Sequence, residues 1–482
     1  MKKILFLLGS LSLHFIASAQ SWSDTLKSIE TVLDRYQSAN PGYELAISRN
    51  GQLLLSKAEG MADLEHNVPM TTTTLTEAGS VSKQFTAASI LLLEQQGKLS
   101  LQDDVRKYIP ELPSYGDPIT LRHLMQHTSG VRDWGAVMEL TGWPRTTRNY
   151  TNEHALLIIA RQKALNNKPG DEFIYSNSNY TLLAIIVERV SGKSLAEFTS
   201  EYIFKPAGMK HTQWRTNMKT IVPNRAMAYA KAGTVYETNM PNESVYGHAG
   251  LLTTAEDLLA WNNFYLSGKF GTPSLLSKQL AEHSLNNGIQ NHYTAGLVVD
   301  SARGWKHISH NGATASYRAD LQSFPDLGLS VAWLSNTSEF DSGKNVPAAI
   351  VKLLVADVKK AAVKPVNKNE ETTAKATVTV SEKNLQQYVG DYYSSDADAK
   401  LSVTLKDGKL SLVQQPTIDY ILTPIYIDGF KCDMGRLRFE RDSKKGVIGF
   451  KISVPRALNV EFLRVYHTLN SSDRSDADQA NR

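Results

Sequence analysis

The sequence predicts an α+β fold, with an antiparallel sheet flanked by helices, a helical subdomain, and a small all-β domain at the C-terminus. Strand patterns lie near both ends of the larger part, and helical patterns fill the stretch between them. A series of short alternating segments after a change in composition predicts the β domain. With 41% apolar and 21% charged residues, the 482-residue chain has the composition of a globular protein of two or three domains.

Two hairpin signals predict the sheet. Residues 43–48 and 52–56 flank Asn50-Gly51, the strongest hairpin signal in the chain. Residues 319–324 and 329–335 flank the turn sequence Pro325-Asp326-Leu327-Gly328. We therefore expect the N- and C-terminal segments of the larger part to meet in one sheet. The helices between them are expected at residues 86–96, 121–126, 153–162, 180–190 and 255–266.

The N-terminal residues have the pattern of a targeting segment. Lys2 and Lys3 precede an apolar run that ends at the small residues Ala17-Ser18-Ala19, a pattern typical of a secretory signal peptide. We therefore expect residues 1–19 to be removed and the protein to be exported to the bacterial periplasm or the medium. The apolar run itself is shorter than the roughly 20 residues that a membrane span needs, and no span is expected after the cleavage.

Composition also predicts the domain boundaries. We assign residues 20–362 to the larger domain, 363–384 to a solvated linker without large apolar residues, and 469–482 to a polar tail. Residues 385–468 contain alternating runs such as 401–405 and 409–413, separated by turn signals such as Asp407-Gly408. These features predict a small antiparallel β domain.

Several classes of protein are excluded by composition. Lysine and arginine total 52 against 48 acidic residues, a net charge of +4, which gives no reason to expect a nucleic-acid partner. Cys432 is the single cysteine, so an intramolecular disulfide and a multi-cysteine metal site are impossible. The histidines lack the spacing of metal ligands, so no metal site is predicted.

The first candidate site is Ser80-Val81-Ser82-Lys83, which precedes the apolar stretch 87–93 of a predicted buried helix. Gly79 allows a tight turn into that helix, which would place Ser80 in its first turn, and Lys83 follows on the same face. A serine hydroxyl needs a base to become nucleophilic, and a desolvated lysine can serve as that base. A solvated helix start is the alternative, and the buried run argues against it.

The second candidate is Tyr175-Ser176-Asn177, in a short extended piece ahead of a helix. A tyrosine there could relay a proton to a leaving group. Asn177, two residues on in an extended strand, would face the same side and could hydrogen-bond an acyl or amide oxygen. The alternative is an ordinary packed tyrosine with an asparagine turn or cap.

The third candidate is His310-Asn311-Gly312, in a predicted strand. Glycine in a strand often marks the close approach of backbone to a ligand. His310 could donate to a substrate carboxylate or to the network of Ser80 and Tyr175. The N–H of Ala313 could form an oxyanion hole with the N–H of Ser80. The alternative is a surface histidine on an edge strand.

In this order, the three motifs resemble the signature boxes of the serine β-lactamase and penicillin-binding-protein superfamily. The likeness is strongest to its class C-like branch, which includes D,D-carboxypeptidases, D-aminopeptidases and esterases. Segments 121–130, 203–209 and 250–258 resemble the same branch, and the likeness extends over about residues 30–355. It implies a β-lactamase/transpeptidase-like fold, here with a lipocalin-like, barrel-like C-terminal domain.

The resemblance also implies a mechanism. Ser80 would form an acyl-enzyme, with Lys83 and Tyr175 as the proton network and the N–H groups of Ser80 and Ala313 as the oxyanion hole. Substrate-binding roles would fall to Asn177, His310 and Gly312. The family's chemistry uses no metal and no organic cofactor. The expected partner is a small molecule or short peptide, including cell-wall fragments, and the oligomeric state is left open.

The third motif differs from that of class C β-lactamases, and this difference indicates which substrates to expect. Class C β-lactamases usually carry Lys-Thr-Gly where this chain has His310-Asn311-Gly312, and a neutral imidazole is a weaker anchor for a carboxylate than an ammonium group. We therefore place hydrolysis of D-amino-acid peptides or small esters ahead of β-lactamase activity proper. The remaining alternatives are a non-catalytic binder of penicillin or cell-wall fragments, and a structural or adhesin protein suggested only by the β domain.

Overall fold

The computed structural model of the protein describes residues 22–145, 147–339, 346–358, 382–414 and 418–466. The predicted signal peptide, the predicted linker as far as residue 381, and the predicted polar tail lie outside these described residues. The domain boundaries therefore stay predictions. Within the described ranges, none of the helices is long and apolar enough to cross a membrane.

The helices of the described residues are α1 (Trp22–Leu33), α2 (Lys83–Gln95), α3 (Leu121–Met125), α4 (Trp134–Glu139), α5 (Asn152–Ala160), α6 (Asn177–Ser191), α7 (Leu195–Thr199), α8 (Lys205–Ala207), α9 (Ala255–Leu266), α10 (Pro273–Gln279), α11 (Val346–Leu354) and α12 (Glu382–Leu385).

The strands before the C-terminal domain are β1 (Tyr43–Arg49), β2 (Gln52–Glu59), β3 (Met61–Asp63), β4 (Val68–Pro69), β5 (Thr76–Glu77), β6 (Gln213–Trp214), β7 (Tyr229–Ala232), β8 (Val235–Thr238), β9 (Leu251–Thr253), β10 (His283–Ser284), β11 (Gln290–Asn291), β12 (Val298–Ala302), β13 (Trp305–Thr314), β14 (Tyr317–Phe324) and β15 (Leu329–Ser335). Those of the C-terminal domain are β16 (Gly390–Ser394), β17 (Ala399–Lys406), β18 (Lys409–Gln414), β19 (Ile418–Tyr426), β20 (Gly429–Lys431), β21 (Arg436–Arg441), β22 (Val447–Val454) and β23 (Ala457–Arg464).

The main sheet has six strands in the order β12-β13-β14-β15-β1-β2, and every neighbouring pair is antiparallel. Strand β1 pairs with β15 from Tyr43 opposite Ser335 to Arg49 opposite Leu329. Both predicted hairpins are present, as β1–β2 and β14–β15. The expectation that N- and C-terminal segments meet in one sheet is therefore confirmed.

Helices cover both faces of this sheet. Because strand side chains alternate between faces, Leu45 and Ile47 pack with α1 and α11, whereas Ala46 faces the helical layer that contains α2 and α9. On the first face, the ring of Tyr43 stacks on Trp333 at 4.9 Å. Helix α2 is buried at ten of its thirteen residues, as its apolar sequence predicts. The catalytic candidates at its start are thus held by the core.

The C-terminal domain is a closed barrel of the eight strands β16 to β23, which confirms the predicted barrel-like domain. It closes where Tyr392 of β16 pairs with Arg464 of β23. Its interior contains aromatic rings, among them Phe450 and Phe462, which stack at 5.1 Å. Alternating apolar residues along strands such as β18, β21 and β22 explain this interior, because every second side chain points inward.

The barrel is docked on the larger domain through a buried polar contact. Arg132, whose side chain is 2% exposed, pairs with Asp396 of the barrel at 2.9 Å. Its guanidinium also donates to the carbonyl oxygens of Leu458 and Asn459 at 3.0 and 2.9 Å. This contact fixes the turn between β22 and β23 beside the helices of the larger domain. Sequence reasoning left the placement of the barrel open.

Candidate active site

Ser80 lies in a 3-10 turn, Gly79–Ser82, immediately before α2 begins at Lys83. The prediction placed Ser80 in the first turn of the helix, and the structure instead gives it a tighter turn just ahead of that helix. Gly79 has φ +51°, and a Cβ built there would come within 2.7 Å of the Ala313 nitrogen. Only glycine allows this left-handed turn so close to the backbone of β13.

Lys83 is fully buried, and its amine reaches three oxygen atoms. Nζ lies 3.1 Å from Ser80 Oγ, 2.9 Å from Asn177 Oδ1 and 2.7 Å from the carbonyl oxygen of His248. Burial lowers the pKa of Lys83 well below its ordinary value, and the cationic Arg145 lowers it further. The neutral amine is therefore favoured relative to a lysine in water.

The geometry around Nζ decides where the lone pair of a neutral amine points. The amide oxygen of Asn177 and the carbonyl oxygen of His248 can only accept hydrogen bonds, so they take both N–H groups. The third direction, toward Ser80 Oγ, is then left for the lone pair. In that state the Ser80 hydroxyl donates to Nζ, which is the contact a general base requires.

Tyr175 is brought to the same place. Its ring centroid lies 4.8 Å from Lys83 Nζ and 4.1 Å from the ring of His127. The Tyr175 hydroxyl is buried and forms no hydrogen bond of normal geometry with a described residue. Burial raises the pKa of Tyr175 well above its ordinary value, and the nearby Ser80 hydroxyl and Arg456 guanidinium offset this only in part. The phenol therefore stays protonated at neutral pH.

Asn177 is the first residue of α6, which corrects the expectation that it lies on an extended strand. The helix begins three residues earlier than predicted because Asp133 accepts the Asn177 N–H at 2.6 Å and so satisfies one of the free donors of its first turn. Helical geometry turns the Asn177 side chain toward Lys83 rather than outward. Its oxygen serves the amine, as described above.

Strand β13 passes directly along the turn that holds Ser80. A Cβ added at Gly312 would lie 2.0 Å from the Ala78 carbonyl oxygen, so only glycine fits there. Thr314 and Tyr317 close a two-residue hairpin, which makes Ala313 and Arg318 a pair without mutual hydrogen bonds. The Ala313 N–H therefore points away from β14. The pairing of β13 with β12 ends at Ser309, so β12 does not accept this N–H, which lies beside the turn that holds Ser80.

His310 is buried, and both of its ring nitrogens are engaged. Nε2 lies 2.9 Å from the Tyr293 hydroxyl, and Nδ1 lies 2.6 Å from the carbonyl oxygen of Asn311. Since a carbonyl only accepts, Nδ1 carries the proton and Nε2 accepts from Tyr293. Burial and the nearby Lys83 lower the pKa of His310 to about 3, so the ring is neutral.

Further residues of the site were not singled out from sequence. His127, in the segment 121–130, accepts from the Ser176 N–H at Nδ1, and its buried Nε2 has no partner among the described residues. His248 accepts from Arg145 at 3.0 Å, and Glu243 in turn pairs with Arg145. The buried His127 Nε2 and Tyr175 Oη have no hydrogen-bond partner among the described residues, and a catalytic role is one explanation of such atoms. No local motif marks them, because their partners are distant in sequence.

One cluster of potential metal ligands is present in the described ranges, at Asp63, Glu65 and His66. Asp63 accepts from the backbone N–H groups of Glu65 and His66, and its second oxygen pairs with the His66 ring. These contacts are those of a capped turn. The prediction that the protein has no metal site stays a prediction.

Known proteins resemble this chain in sequence and in fold. Penicillin-binding protein 4* of Bacillus subtilis (strain 168) is 27% identical over 383 residues, which cover 76% of this chain and 82% of that protein. The structure of the octameric penicillin-binding protein homologue from Pyrococcus abyssi has a TM-score of 0.59 at 22% identity and covers 92% of this chain and 99% of its own. A likeness of that extent includes the barrel.

A further solved structure, of D-amino acid amidase from Ochrobactrum anthropi SV3, has a TM-score of 0.58 at 20% identity and covers 68% of this chain and 98% of its own. The sequence profile of the family described as Beta-lactamase matches residues 27–355, which takes in the main sheet, its helices and the three motifs. The chain therefore belongs to the beta-lactamase family, whose fold it shares with penicillin-binding proteins and D-amino acid amidase.

Proposed function

We propose that this protein is an exported serine hydrolase that forms an acyl-enzyme on Ser80 and hydrolyses an amide or ester. The observation that carries the proposal is the position of the Lys83 amine, which two carbonyl oxygens orient so that its third direction meets Ser80 Oγ. Family membership supports hydrolase chemistry in general. The assignment of individual residues rests on the geometry.

Acylation begins with attack of Ser80 Oγ on the substrate carbonyl. The proton leaves Oγ for Lys83 Nζ as the new C–O bond forms, and the carbonyl π electrons move to the oxygen. The N–H groups of Ser80 and Ala313 would hold this oxyanion, because both lie where the Gly79 turn meets β13. Removal of one such donor typically costs about 100- to 1,000-fold in rate.

Collapse of the tetrahedral intermediate requires a proton on the leaving group. Tyr175 keeps its phenolic proton at neutral pH and lies over Lys83, so it can pass a proton to the leaving amine or alkoxide and recover one from the Lys83 ammonium. The C–N or C–O bond then breaks, and Ser80 holds the acyl group as an ester. Water, deprotonated by the same network, releases the acid and restores the serine hydroxyl.

The third motif of this site has no cation that could bind the carboxylate of a β-lactam, so the site favours other substrates. His310 is neutral, and its two nitrogens already bond Tyr293 and the Asn311 carbonyl, so it supplies no charge. D-amino-acid peptides, their amides and small esters are therefore the substrates we propose. The amidase fold of one structural neighbour supports this choice. The reaction as written uses only residues of the chain and water.

A labelled fluorophosphonate or penicillin tests the nucleophile. The wild-type protein should acquire one label, on a peptide containing Ser80, and Ser80→Ala should acquire none. Ser176→Ala is the matched control, because its hydroxyl lies beside Tyr175 and makes no hydrogen bond with a described residue. A label that survives Ser80→Ala refutes the assignment.

Turnover separates the hydrolase from a non-catalytic binder. A panel of D-amino-acid amides, D-alanyl-D-alanine peptides, short esters and nitrocefin should show repeated turnover of at least one member other than nitrocefin. Stoichiometric acylation without turnover would instead identify a binding protein. For export, the N-terminal sequence of the protein secreted from a bacterial host should begin at Gln20, and retention of residues 1–19 in the mature protein would reject it.

A further inference from the structure

The barrel places an arginine at the edge of the active site. Val454 pairs with Ala457, so Pro455 and Arg456 form the two-residue turn between β22 and β23. The guanidinium carbon of Arg456 lies 5.0 Å from the ring centroid of Tyr175. A residue more than 270 positions later in the sequence thus contacts the proposed proton relay.

The larger domain holds this turn through its backbone. The carbonyl oxygen of Arg456 accepts from the Asp133 N–H and from Asn166 Nδ2, both at 3.0 Å. Asn166 Oδ1 accepts the N–H of Leu458 at 2.7 Å. Asp133 also caps the helix that presents Asn177, so the same residue fixes the turn and the active site. The position of Arg456 is therefore built into the fold.

The conformation of Arg456 is itself costly. Its φ is +69°, a left-handed value that glycine or asparagine adopts more cheaply than a long side chain. A turn selected only for its shape would favour those residues. The shape of the turn alone therefore does not require an arginine at this position.

The guanidinium has no partner within the described residues. It is exposed, and no hydrogen bond or ion pair of its side chain is formed with them. Burial raises the pKa of Glu139, and Arg456 is close enough to offset part of that rise, but the two side chains form no ion pair. Arg456 is close enough to Lys83 and His248 to lower the pKa of both groups. An exposed guanidinium without an ionic partner can bind an anion, and its planar N–H groups match the geometry of a carboxylate.

His310 of the third motif cannot bind such an anion, because its ring is neutral and both ring nitrogens already form hydrogen bonds. We propose that Arg456 binds a free carboxylate of the substrate, so that the barrel selects peptides with an ionised C-terminus over their amides. Arg456 lies beside Tyr175, which donates a proton to the leaving amine. The carboxylate that Arg456 binds is therefore that of the C-terminal residue, which leaves with this amine. This inference rests on the proposed function and adds the substrate class to it.

The test measures binding, so that it does not depend on turnover. In the full-length Ser80→Ala background, calorimetry compares N-acetyl-D-alanyl-D-alanine with its C-terminal amide. We expect the carboxylate peptide to bind roughly 10- to 100-fold more tightly, the range of a charge-assisted hydrogen bond. Adding Arg456→Gln should reduce this preference to about threefold or less, and Arg456→Lys should retain part of it.

Lys445→Gln is the matched control, because Lys445 is another exposed cation with positive φ in a barrel turn, at φ +65°. It should leave the preference unchanged. The inference is overturned if the carboxylate is not preferred, if neither peptide binds, or if Arg456→Gln weakens both peptides by the same factor. Failure of the proposed function has a different signature, since it is read from the absence of a label on Ser80 in the wild-type protein.

Discussion

The contact that docks the barrel allows a quantitative prediction. Asp396→Asn keeps the size and one acceptor of the side chain but removes the charge that faces Arg132 at 2.9 Å. The Arg132 guanidinium would then stay buried at 2% exposure with only neutral acceptors, from Gln162 and the carbonyl oxygens of Leu458 and Asn459. An uncompensated buried charge is the expected defect.

Breaking a buried ion pair by removing one partner costs about 3–5 kcal/mol. We expect the lower end, about 3 kcal/mol, because three hydrogen bonds to Arg132 survive. The chain offers a matched control across the same interface. Arg161 and Asp398 also pair between the two domains, at 3.0 Å, but their side chains are 49% and 54% exposed. Asp398→Asn should therefore cost less than about 1 kcal/mol.

The assay is urea unfolding of the full chain, with both variants compared to the wild type at the same ionic strength. The reasoning requires the free energy of unfolding to fall several times further in Asp396→Asn than in Asp398→Asn, at an unchanged slope against urea. Equal losses in the two variants would refute it, because burial would then not decide the value of the ion pair. A raised stability in Asp396→Asn would refute it as well.

Two further predictions concern the chemistry. Because burial lowers the pKa of Lys83 and only the neutral amine can take the Ser80 proton, the acylation rate should rise with pH through that lowered pKa and level off below the ordinary lysine value of about 10.4; a rate that keeps rising with pH up to that ordinary value contradicts this. Gly312→Ala should lower the acylation rate by about 100-fold or more, because its Cβ would collide with the Ala78 carbonyl oxygen and move an oxyanion donor. Gly446→Ala, whose Cβ meets nothing closer than 3.4 Å, is the control and should acylate at the wild-type rate.

The structure also explains why the amine, the phenol and the asparagine act together. Ser80 and Lys83 come from the 3-10 turn and the first residue of α2, Tyr175 and Asn177 from the chain that leads into α6, and the third acceptor of Nζ from the backbone at His248. Three separate segments thus surround one nitrogen atom. Asp133 holds the second of these segments through the Asn177 N–H and the barrel through the Arg456 carbonyl. Asp133 therefore links the barrel turn to the site, because its backbone N–H bonds Arg456 and its side chain bonds Asn177.

Much of this arrangement follows from local sequence. The Asn50-Gly51 turn fixes its hairpin because few other residues accept its positive φ angles, and the apolar run after Lys83 can only be a buried helix. Those two features predict the hairpin and the buried helix, whereas the meeting of Tyr175 with Ser80 and Lys83 was implied by the resemblance of the three ordered motifs to a known family. The start of α6 was misplaced, because the carboxylate that satisfies its first turn comes from Asp133, 44 residues earlier.

What the sequence determined by itself is therefore whatever depends on periodicity and on turn chemistry: the sheet hairpins, the buried helix, the alternating strands of the barrel, and the spacing of Ser80 and Lys83. The tertiary structure alone decided which distant groups meet. It buried His310, which lowers the pKa of the ring and keeps it neutral, and it brought Arg456 of the barrel to Tyr175. The physical reason is that charge state and contact depend on burial and on partners far along the chain, which a local pattern does not encode.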